Sequence, residues 1–196
     1  MAVSYIFCLV GKSASGKDTL FQEILRHKGK DLVPVIPYTT RPKRRNEDEG
    51  VDYHFSTEAD LEHFRAEGRV IEERQYNTTQ GIWRYFTVKF DREPGRNYIL
   101  ITTLEGVAGI SAAYGAQAVR TVYLALDDKT RLLRCIDREA RQAAPDYEEV
   151  CRRFIADQRD FTEEKLLALP NLHRIDAAQS LADCLRQWQA LYAVEG

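Results

Sequence analysis

The residues of this chain that are best suited to chemistry form a glycine-rich turn near its start. Residues 11–19 read GKSASGKDT, after the apolar run YIFCLV and before the helical pattern TLFQEILRH. Small residues let backbone N–H groups approach an anion closely, and the following helix adds the positive end of its dipole. Lys17 stands where a lysine reaches the β- and γ-phosphates of a nucleoside triphosphate. The segment therefore predicts a phosphate-binding loop.

The last position of this loop departs from the usual pattern. The pattern G-x-x-x-x-G-K-[ST] ends in a hydroxyl that holds Mg²⁺, whereas this chain has Asp18 there, followed by Thr19. Mg²⁺ needs only one or two carboxylates besides phosphate oxygens and water, so we expect Asp18 to be the metal ligand. The residues expected to bind the triphosphate are Gly11, Ser13, Ala14, Ser15, Gly16, Lys17, Asp18 and Thr19.

Composition restricts the class of protein. The chain has 196 residues and a formal net charge of −2, which argues against a nucleic-acid coat or a basic membrane-surface protein. No apolar run approaches the length of a membrane span. The first apolar run lacks a preceding basic region, so we interpret it as a strand and not as a signal peptide. The cysteines are scattered and predict free thiols in a reducing cytoplasm: Cys8, Cys135, Cys151 and Cys184.

Short β-rich runs alternate with helical patterns along the chain. The predicted strands are residues 5–10, 98–103, 121–126 and 172–175. The predicted helices are residues 19–27, 104–113, 129–141, 147–161 and 181–193. This alternation predicts an α/β fold with a parallel sheet covered on both faces, and a ligand at the carboxyl ends of the strands.

Two stretches interrupt that alternation. Residues 37–91 are polar and rich in Tyr, Thr and Arg, with a helix of their own at 57–67 that has capping-box spacing at Thr57 and Asp60. Residues 128–160 are an arginine-dense helix pair broken at Ala144 and Pro145. We predict one domain with a core (about 1–36, 92–127 and 161–196), an inserted substrate lobe (about 37–91) and a mobile lid (about 128–160).

Two motifs in the inserted stretch carry a resemblance to a known family. Residues 38–44 read YTTRPKR and residues 49–55 read EGVDYHF. With the phosphate loop they resemble the guanylate kinases, P-loop enzymes that move a phosphoryl group from ATP to GMP. The resemblance implies a P-loop kinase fold, with a parallel core sheet flanked by helices, an inserted α+β GMP-binding lobe and an Arg-rich helical lid. It also implies ATP and Mg²⁺.

The candidate acceptor residues follow from these motifs. Arg41 and Arg44 are three residues apart around a stiffening proline, so two guanidinium groups can grip one phosphate. By resemblance they bind the GMP phosphate together with the Tyr53 hydroxyl. Glu72 matches the family's glutamate that accepts hydrogen bonds from guanine N1 and N2. Tyr85 matches a phosphate-binding tyrosine, in a register that leaves Arg84 as a competitor.

Two positions depart from the family's base-reading residues. Pro37 stands where the family has a serine that reaches guanine O6. The central strand reads LITTLEG, so Ile101 and Thr103 replace two aspartates, and Thr103 is the candidate in place of the one that reads the guanine amino group. A substitute hydroxyl is available from Thr39, Thr78 or Thr87, with nothing in the sequence to choose among them.

The lid carries a cationic stripe at helical spacing, formed by Arg131, Arg134, Arg138 and Arg141. Fixed arginines stabilise the charge on a phosphoryl group in transfer. The resemblance matches Arg134, Arg138 and Arg153 to lid arginines. The other two, Arg131 and Arg141, are expected to be solvated or paired with Glu139, Glu148 or Glu149. The expected catalytic residues are Lys17, Arg41, Arg134, Arg138 and Arg153.

The resulting hypothesis is ATP-dependent phosphorylation of a nucleoside monophosphate, GMP or dGMP, by direct phosphoryl transfer. The expected partner is this small-molecule nucleotide, with neither nucleic acid nor membrane, and the chain is expected to be a monomer or homodimer. Two alternatives remain. The G-K-D loop also resembles that of ribose 1,5-bisphosphate phosphokinase, a kinase of the same fold. A non-catalytic guanylate-kinase-like module that binds phosphopeptides is the other, although such modules typically lack the phosphate loop.

Overall fold

The computed structural model describes residues 4–45, 47–77 and 81–195 in full, and residue 78 by its backbone only. The strands along the chain are β1 Ile6–Val10, β2 Leu32–Pro34, β3 Tyr38–Thr39, β4 His54–Phe55, β5 Val70–Thr78, β6 Gly81–Val88, β7 Asn97–Ile101, β8 Val119–Ala125 and β9 Leu172–Asp176. The α-helices are α1 Lys17–His27, α2 Glu58–Ala66, α3 Leu104–Tyr114, α4 Asp128–Glu139, α5 Tyr147–Asp160, α6 Glu163–Leu167 and α7 Leu181–Glu195. A 3₁₀ turn, Ala116–Ala118, precedes β8.

The core of the molecule is a five-stranded sheet in the order β2-β7-β1-β8-β9, in which every neighbouring pair is parallel. The central strand β1 is apolar at all five positions and completely buried. Because successive side chains of a strand point to opposite faces, Phe7 and Leu9 pack with α1 and α7. Ile6 and Cys8 pack on the other side with α3 and α6. The predicted parallel sheet with helices on both faces is therefore confirmed.

The predicted strands and helices agree with the structure to within one or two residues at most of their ends. The sequence reasoning missed β2, since it has only three residues. It also missed α6, a five-residue helix that the preceding Thr162 caps with its side chain. Both elements are shorter than the windows over which a hydrophobic period can be recognised.

A second sheet, in the order β4-β3-β6-β5, is built from residues between β2 and β7. It has a small core of its own around Leu61, Phe86 and Val88. Thr57 and Asp60 form the predicted capping box at the start of α2, which packs on this sheet. We call this sheet and α2 the inserted lobe. Its presence confirms the expected fold class.

A glycine on α3 allows the inserted lobe to approach the core. A Cβ atom at Gly109 would lie 2.7 Å from the carbonyl oxygen of Ile71, so a larger residue would push β5 away. This contact holds β5, which carries Glu72, against α3, the helix that follows β7. Among the described residues, no helix is both long enough and apolar enough to span a membrane.

Candidate active site

The phosphate loop connects the buried end of β1 to the start of α1. Gly16 has a φ of 93° and Ala14 has a φ of 60°, so the chain turns twice through the left-handed region before the helix begins. Backbone of this kind forms a concave nest of N–H groups. The Ser15 hydroxyl is buried there and has no hydrogen-bond partner among the described residues. An unpaired buried donor of this kind is what an anion in the loop would satisfy.

The first turn of α1 carries the two charged residues expected to act on the triphosphate. Lys17 Nζ lies 3.6 Å from the Asp18 carboxylate. Asp18 and Thr19 are both exposed. In the described part of the chain, no three His, Cys, Asp or Glu side chains come together as a metal site. A single exposed carboxylate fits Mg²⁺ that keeps its waters and is held mainly by phosphate oxygens.

The lid contacts the phosphate loop directly. The backbone N–H of Ser13 donates to the Asp157 carboxylate on α5, at 2.9 Å. Lys12 Nζ donates to Gln158 at 2.9 Å and to Asp128 on α4 at 3.3 Å. Sequence reasoning missed Asp157, because nothing in the local pattern relates a helical aspartate to a loop about 140 residues earlier.

The expectation for Arg131 was wrong. Its side chain is completely buried and donates to Asp157 at 2.7 Å and to Asp128 at 3.0 Å. Its guanidinium also lies 4.1 Å from the centre of the Phe154 ring. Arg131 therefore joins α4, α5 and the phosphate loop through shared carboxylates, since the same Asp157 oxygen accepts from Ser13. The error arose because helical spacing alone cannot show which arginine of a stripe faces inward.

The other lid arginines lie at the surface, and the partner of Arg141 is Asp137 instead of one of the expected glutamates. Arg134 and Arg138 are exposed, and within the described ranges neither has an acidic partner at ion-pair distance. Arg153 is exposed and lies 3.8 Å from Glu149, to which Arg152 binds more closely. Arg141 pairs with Asp137 on the surface. Their contact with a phosphoryl group stays a prediction.

The acceptor side of the site is organised around Arg41. This arginine is 3% exposed, and its terminal nitrogens donate to Glu47 at 2.8 and 2.7 Å. Its Nε donates to the Tyr85 hydroxyl at 3.0 Å. The hydrogen bonds with Glu47 raise the pKa of Arg41, and the same pair lowers the pKa of Glu47. Arg41 is thus a fixed cation whose orientation Glu47 sets, a partner that sequence reasoning did not identify.

Tyr53 and Arg44 complete this side of the site. The Tyr53 ring packs edge-on against Tyr85 and lies 5.3 Å from the Arg41 guanidinium. Burial raises the pKa of Tyr53, and the charge of Asp18 adds to that rise. The Arg44 side chain is exposed and makes no hydrogen bond or ion pair in the described part of the chain, so its guanidinium donors are open to an anion, although its charge helps to lower the pKa of Glu47.

The candidate base-reading residues lie on the same face of the lobe. Glu72 and Thr87 are paired across β5 and β6, and the Thr87 hydroxyl donates to Glu72 at 2.8 Å. Of the two candidate threonines whose side chains the structure describes, Thr87 is the one that contacts Glu72. Thr39 instead donates to the carbonyl of Arg84, and the side chain of Thr78 lies outside what the structure describes. Thr103 caps α3 by accepting from the Gly106 N–H.

We call the side of the β5–β6 pair that carries Glu72, Tyr85 and Thr87 the cleft face. The residues that alternate with them along these strands point to the opposite face. Glu73 accepts from Arg65 and from Arg84, the latter at 2.6 Å. Arg84 also donates to Glu58 on α2. Because Arg84 is held in this ion-pair network on the opposite face, Tyr85 is the residue of the two that the structure brings to the Arg41 cluster.

A cavity of about 420 Å³ adjoins the phosphate loop at the ends of β8 and β9. Its lining includes Lys12, Tyr123, Phe161, Arg174 and Asp176. The Tyr123 and Phe161 rings are stacked with centroids 5.9 Å apart. These residues come from four separate segments, so no spacing in the sequence relates them. The cavity is large enough for a planar heterocycle next to the bound phosphates.

Comparison with known proteins decides the family. The family model described as guanylate kinase matches residues 4–164, which include the loop, the inserted lobe and the lid. The chain belongs to the guanylate kinase family. The family model ends before β9 and α7, so the last strand of the core sheet and the final helix are known from the structure and not from the family match.

Individual relatives support this membership at moderate identity. A guanylate kinase of Mycoplasma genitalium is 33% identical over 113 residues, covering 56% of this chain and 45% of that protein. The human guanylate kinase is 27% identical over 158 residues, covering 80% of this chain and 77% of that protein. The chain spans about half the length of the curated relatives it matches first.

One solved structure confirms the fold. A guanylate kinase from Anaplasma phagocytophilum superposes with a TM-score of 0.63 at 14% identity, covering 100% of this chain and 87% of the other. Family membership makes the loop, lobe and lid comparable parts.

Proposed function

We propose that this family member transfers a phosphoryl group from ATP to GMP or dGMP. One observation carries the proposal, namely that a single face of the β5–β6 pair presents two kinds of binding group. Glu72 and Thr87 offer an acceptor and a hydroxyl suited to a purine edge. Tyr85, with Arg41 beside it, offers donors suited to a phosphate. A nucleoside monophosphate needs both groups on one surface.

The chemistry proposed is direct transfer, which depends on position and charge and needs no protein nucleophile. Lys17 neutralises charge on the donor phosphates, while Arg41, Arg44 and Tyr53 hold the acceptor phosphate. Arg41 is already fixed by Glu47, so little reorganisation is required when the acceptor binds. The exposed arginines Arg134, Arg138 and Arg153 then approach the transferring group when the lid closes.

The donor site is proposed to take ATP in the loop, with its adenine in the cavity between Tyr123, Phe161 and Arg174. The Ser15 hydroxyl and the loop N–H groups bind the phosphates. Mg²⁺, when bound with the nucleotide, neutralises β- and γ-phosphate oxygens. Asp18 is the carboxylate proposed to hold it, because it is exposed beside Lys17 in the first turn of α1.

The role of Asp18 is tested through the metal dependence of the rate. We expect Asp18→Ala to raise the free Mg²⁺ needed for half-maximal rate by about 10-fold, the scale seen when a metal site loses a supporting carboxylate. Asp18→Glu, which keeps the carboxylate, is the matched control and retains most of the affinity. An unchanged Mg²⁺ dependence in Asp18→Ala contradicts the assignment.

The function itself is tested by an acceptor screen. ADP release with ATP and Mg²⁺ is measured for GMP, dGMP, IMP, AMP, UMP, CMP and ribose 1,5-bisphosphate. Turnover confined to GMP and dGMP is the expected result. Turnover with ribose 1,5-bisphosphate alone overturns the proposal, because that acceptor has no base for Glu72 and Thr87 to bind. Absence of turnover with every acceptor, together with phosphopeptide binding, favours the non-catalytic module.

We propose that the chain is one domain with three functional parts. The core binds ATP, residues 37–91 bind GMP, and residues 128–160 close over the site as a lid. All four cysteines are free, three of them buried, which agrees with a proposed cytoplasmic location. The chain is proposed to act as a monomer or homodimer on a small-molecule substrate, without nucleic acid.

A further inference from the structure

The acceptor site contains a further arginine, Arg74, which has no part in the proposed binding of the phosphate. Arg74 is two residues after Glu72 on β5, so both side chains lie on the cleft face of the lobe. Arg74 Nε lies 3.2 Å from Glu72 Oε2, and the two side chains are 24% and 6% exposed. Arg74 pairs across the sheet with Tyr85, and Glu72 pairs with Thr87. Arg74 therefore stands between the base-reading pair and the phosphate cluster.

The contact between Arg74 and Glu72 leaves one buried polar atom of each side chain without a hydrogen bond. Arg74 Nε and Glu72 Oε2 are buried, and within the described ranges neither atom makes a hydrogen bond, because the N–H does not point at the oxygen. Buried polar atoms without partners are uncommon in folded proteins. The charges of Arg41 and Arg74 both oppose the rise that burial imposes on the pKa of Tyr53.

The chemistry of a guanine edge matches this pair. Guanine presents the N1–H and the amino group as donors, and the adjacent O6 and N7 atoms are acceptors. A carboxylate beside a guanidinium presents the complementary order, an acceptor next to a donor. Arginine is the side chain that most often binds guanine O6 and N7 in nucleic-acid complexes, because its planar fork fits them. Adenine has an acceptor at N1 and a donor at N6, the reverse of N1–H and O6 in guanine. In the same orientation it would place its acceptor against Glu72 and its donor against Arg74.

We propose that Arg74 is a specificity-determining residue that donates to guanine O6 while Glu72 accepts from N1–H and the amino group. This inference rests on the proposed function, since it assigns a residue to the base of the same acceptor. It supplies a donor at a site where Pro37 has no side-chain hydrogen-bonding group. The base then replaces the imperfect contact between the two charged side chains with two satisfied ones.

The experiment compares nucleotides that differ at single positions of the base. GMP has O6 and the amino group, IMP keeps O6 and N1–H without the amino group, and 6-thio-GMP keeps both donors with a weakly accepting sulfur in place of O6. We expect Arg74→Ala to lower kcat/KM for GMP and for IMP by about 10- to 100-fold, mainly through KM, as for loss of one charged hydrogen bond. For 6-thio-GMP the loss is expected to stay below about threefold.

Two variants make the result specific. Arg74→Lys keeps one donor and is expected to recover part of the activity with GMP. Arg69→Ala, which removes an exposed arginine paired with Glu67 on the lobe surface, is the matched control and leaves all three ratios unchanged. Thermal unfolding of Arg74→Ala shows whether the lobe remains folded.

Each other outcome has a definite meaning. Equal losses for all three nucleotides overturn the inference, because a phosphate contact or a purely structural role does not depend on the atom at position 6. A wild-type protein that uses GMP and 6-thio-GMP equally well also overturns it. A wild-type protein that phosphorylates neither GMP nor IMP rejects the proposed function instead, so the two failures can be told apart.

Discussion

At the scale of single residues, the site depends on charges that are oriented before any ligand arrives. Arg41 is held by a two-point contact with Glu47 and by the Tyr85 hydroxyl, so most of its donors are already occupied. Arg44 is exposed and keeps its donors free. The two arginines of the motif therefore differ in role, since Arg41 supplies a fixed positive charge and Arg44 supplies mobile hydrogen-bond donors.

Glu47→Gln tests this orientation. At pH 7 we expect the variant to unfold with a free energy about 1–3 kcal/mol lower, because buried Arg41 loses its charged partner. Arg41 holds the pKa of Glu47 below its usual value of 4.5, so this carboxylate stabilises the fold at neutral pH. That contribution is lost as the pH falls below about 4.5, and the difference between wild type and variant should shrink there.

Denaturant unfolding at several pH values from 3 to 7 is the measurement. Asp48→Asn, which changes a highly exposed neighbouring carboxylate, is the control and should alter the stability little at any pH. A constant difference between Glu47→Gln and wild type across this range contradicts the assignment of the Arg41–Glu47 pair.

At the scale of secondary-structure elements, the lid is joined to the phosphate loop through one buried arginine. Arg131 on α4 and the Ser13 N–H share the Asp157 carboxylate of α5. The loop, α4 and α5 thereby meet at the Asp157 carboxylate, beside the contacts of Lys12 with Asp128 and Gln158. A ligand that takes the Ser13 N–H must compete with Asp157, so under the proposed function nucleotide binding would be coupled to the position of α5.

We expect Arg131→Met to lower the free energy of unfolding by about 3 kcal/mol, because it removes one partner of a buried ion pair and leaves Asp157 with the Ser13 N–H alone. Hydrogen exchange should rise first in α4 and α5. Arg141→Met, at a surface pair of the same helical stripe, is the matched control with an expected change below about 0.5 kcal/mol. Equal effects of the two variants would show that Arg131 does not hold α4, α5 and the phosphate loop together.

At the scale of the whole molecule, the proposed reaction requires parts that are far apart in sequence to meet. The loop lies at the end of β1, the acceptor residues lie on the inserted lobe, and the free arginines lie on the lid. Arg134 and Arg138 have no partner in the described part of the chain, as expected of residues that act only after closure.

Arg138→Ala and Arg134→Ala test the closure. Each is expected to lower kcat by about 100-fold or more, as for arginines that stabilise a phosphoryl group in transfer, while leaving the melting temperature within about 1 °C of wild type. Lys129→Ala removes an exposed cation from the same helix and is the control. Steady-state rates measure the effect of each variant on kcat, and thermal unfolding measures its effect on stability. A fall in stability with no fall in kcat would assign these residues to the fold.

The sequence by itself determined the elements and the residues whose roles depend on local pattern. The loop, the alternation of strands and helices, the capping box at Thr57 and the motif that contains Arg41 are all specified by neighbours in the chain, because hydrogen bonds and helical or strand periods act over a few residues. The family resemblance then supplied the candidate roles of Glu72 and Tyr85.

Only the tertiary structure decided which charges meet. It buried Arg131 against Asp157, fixed Arg41 through Glu47, turned Arg84 away from the cleft and brought Arg74 beside Glu72. It also assembled the cavity next to the loop from four separate segments. Electrostatic pairing depends on distance and burial in space, and a spacing along the chain carries neither quantity once the chain folds back on itself.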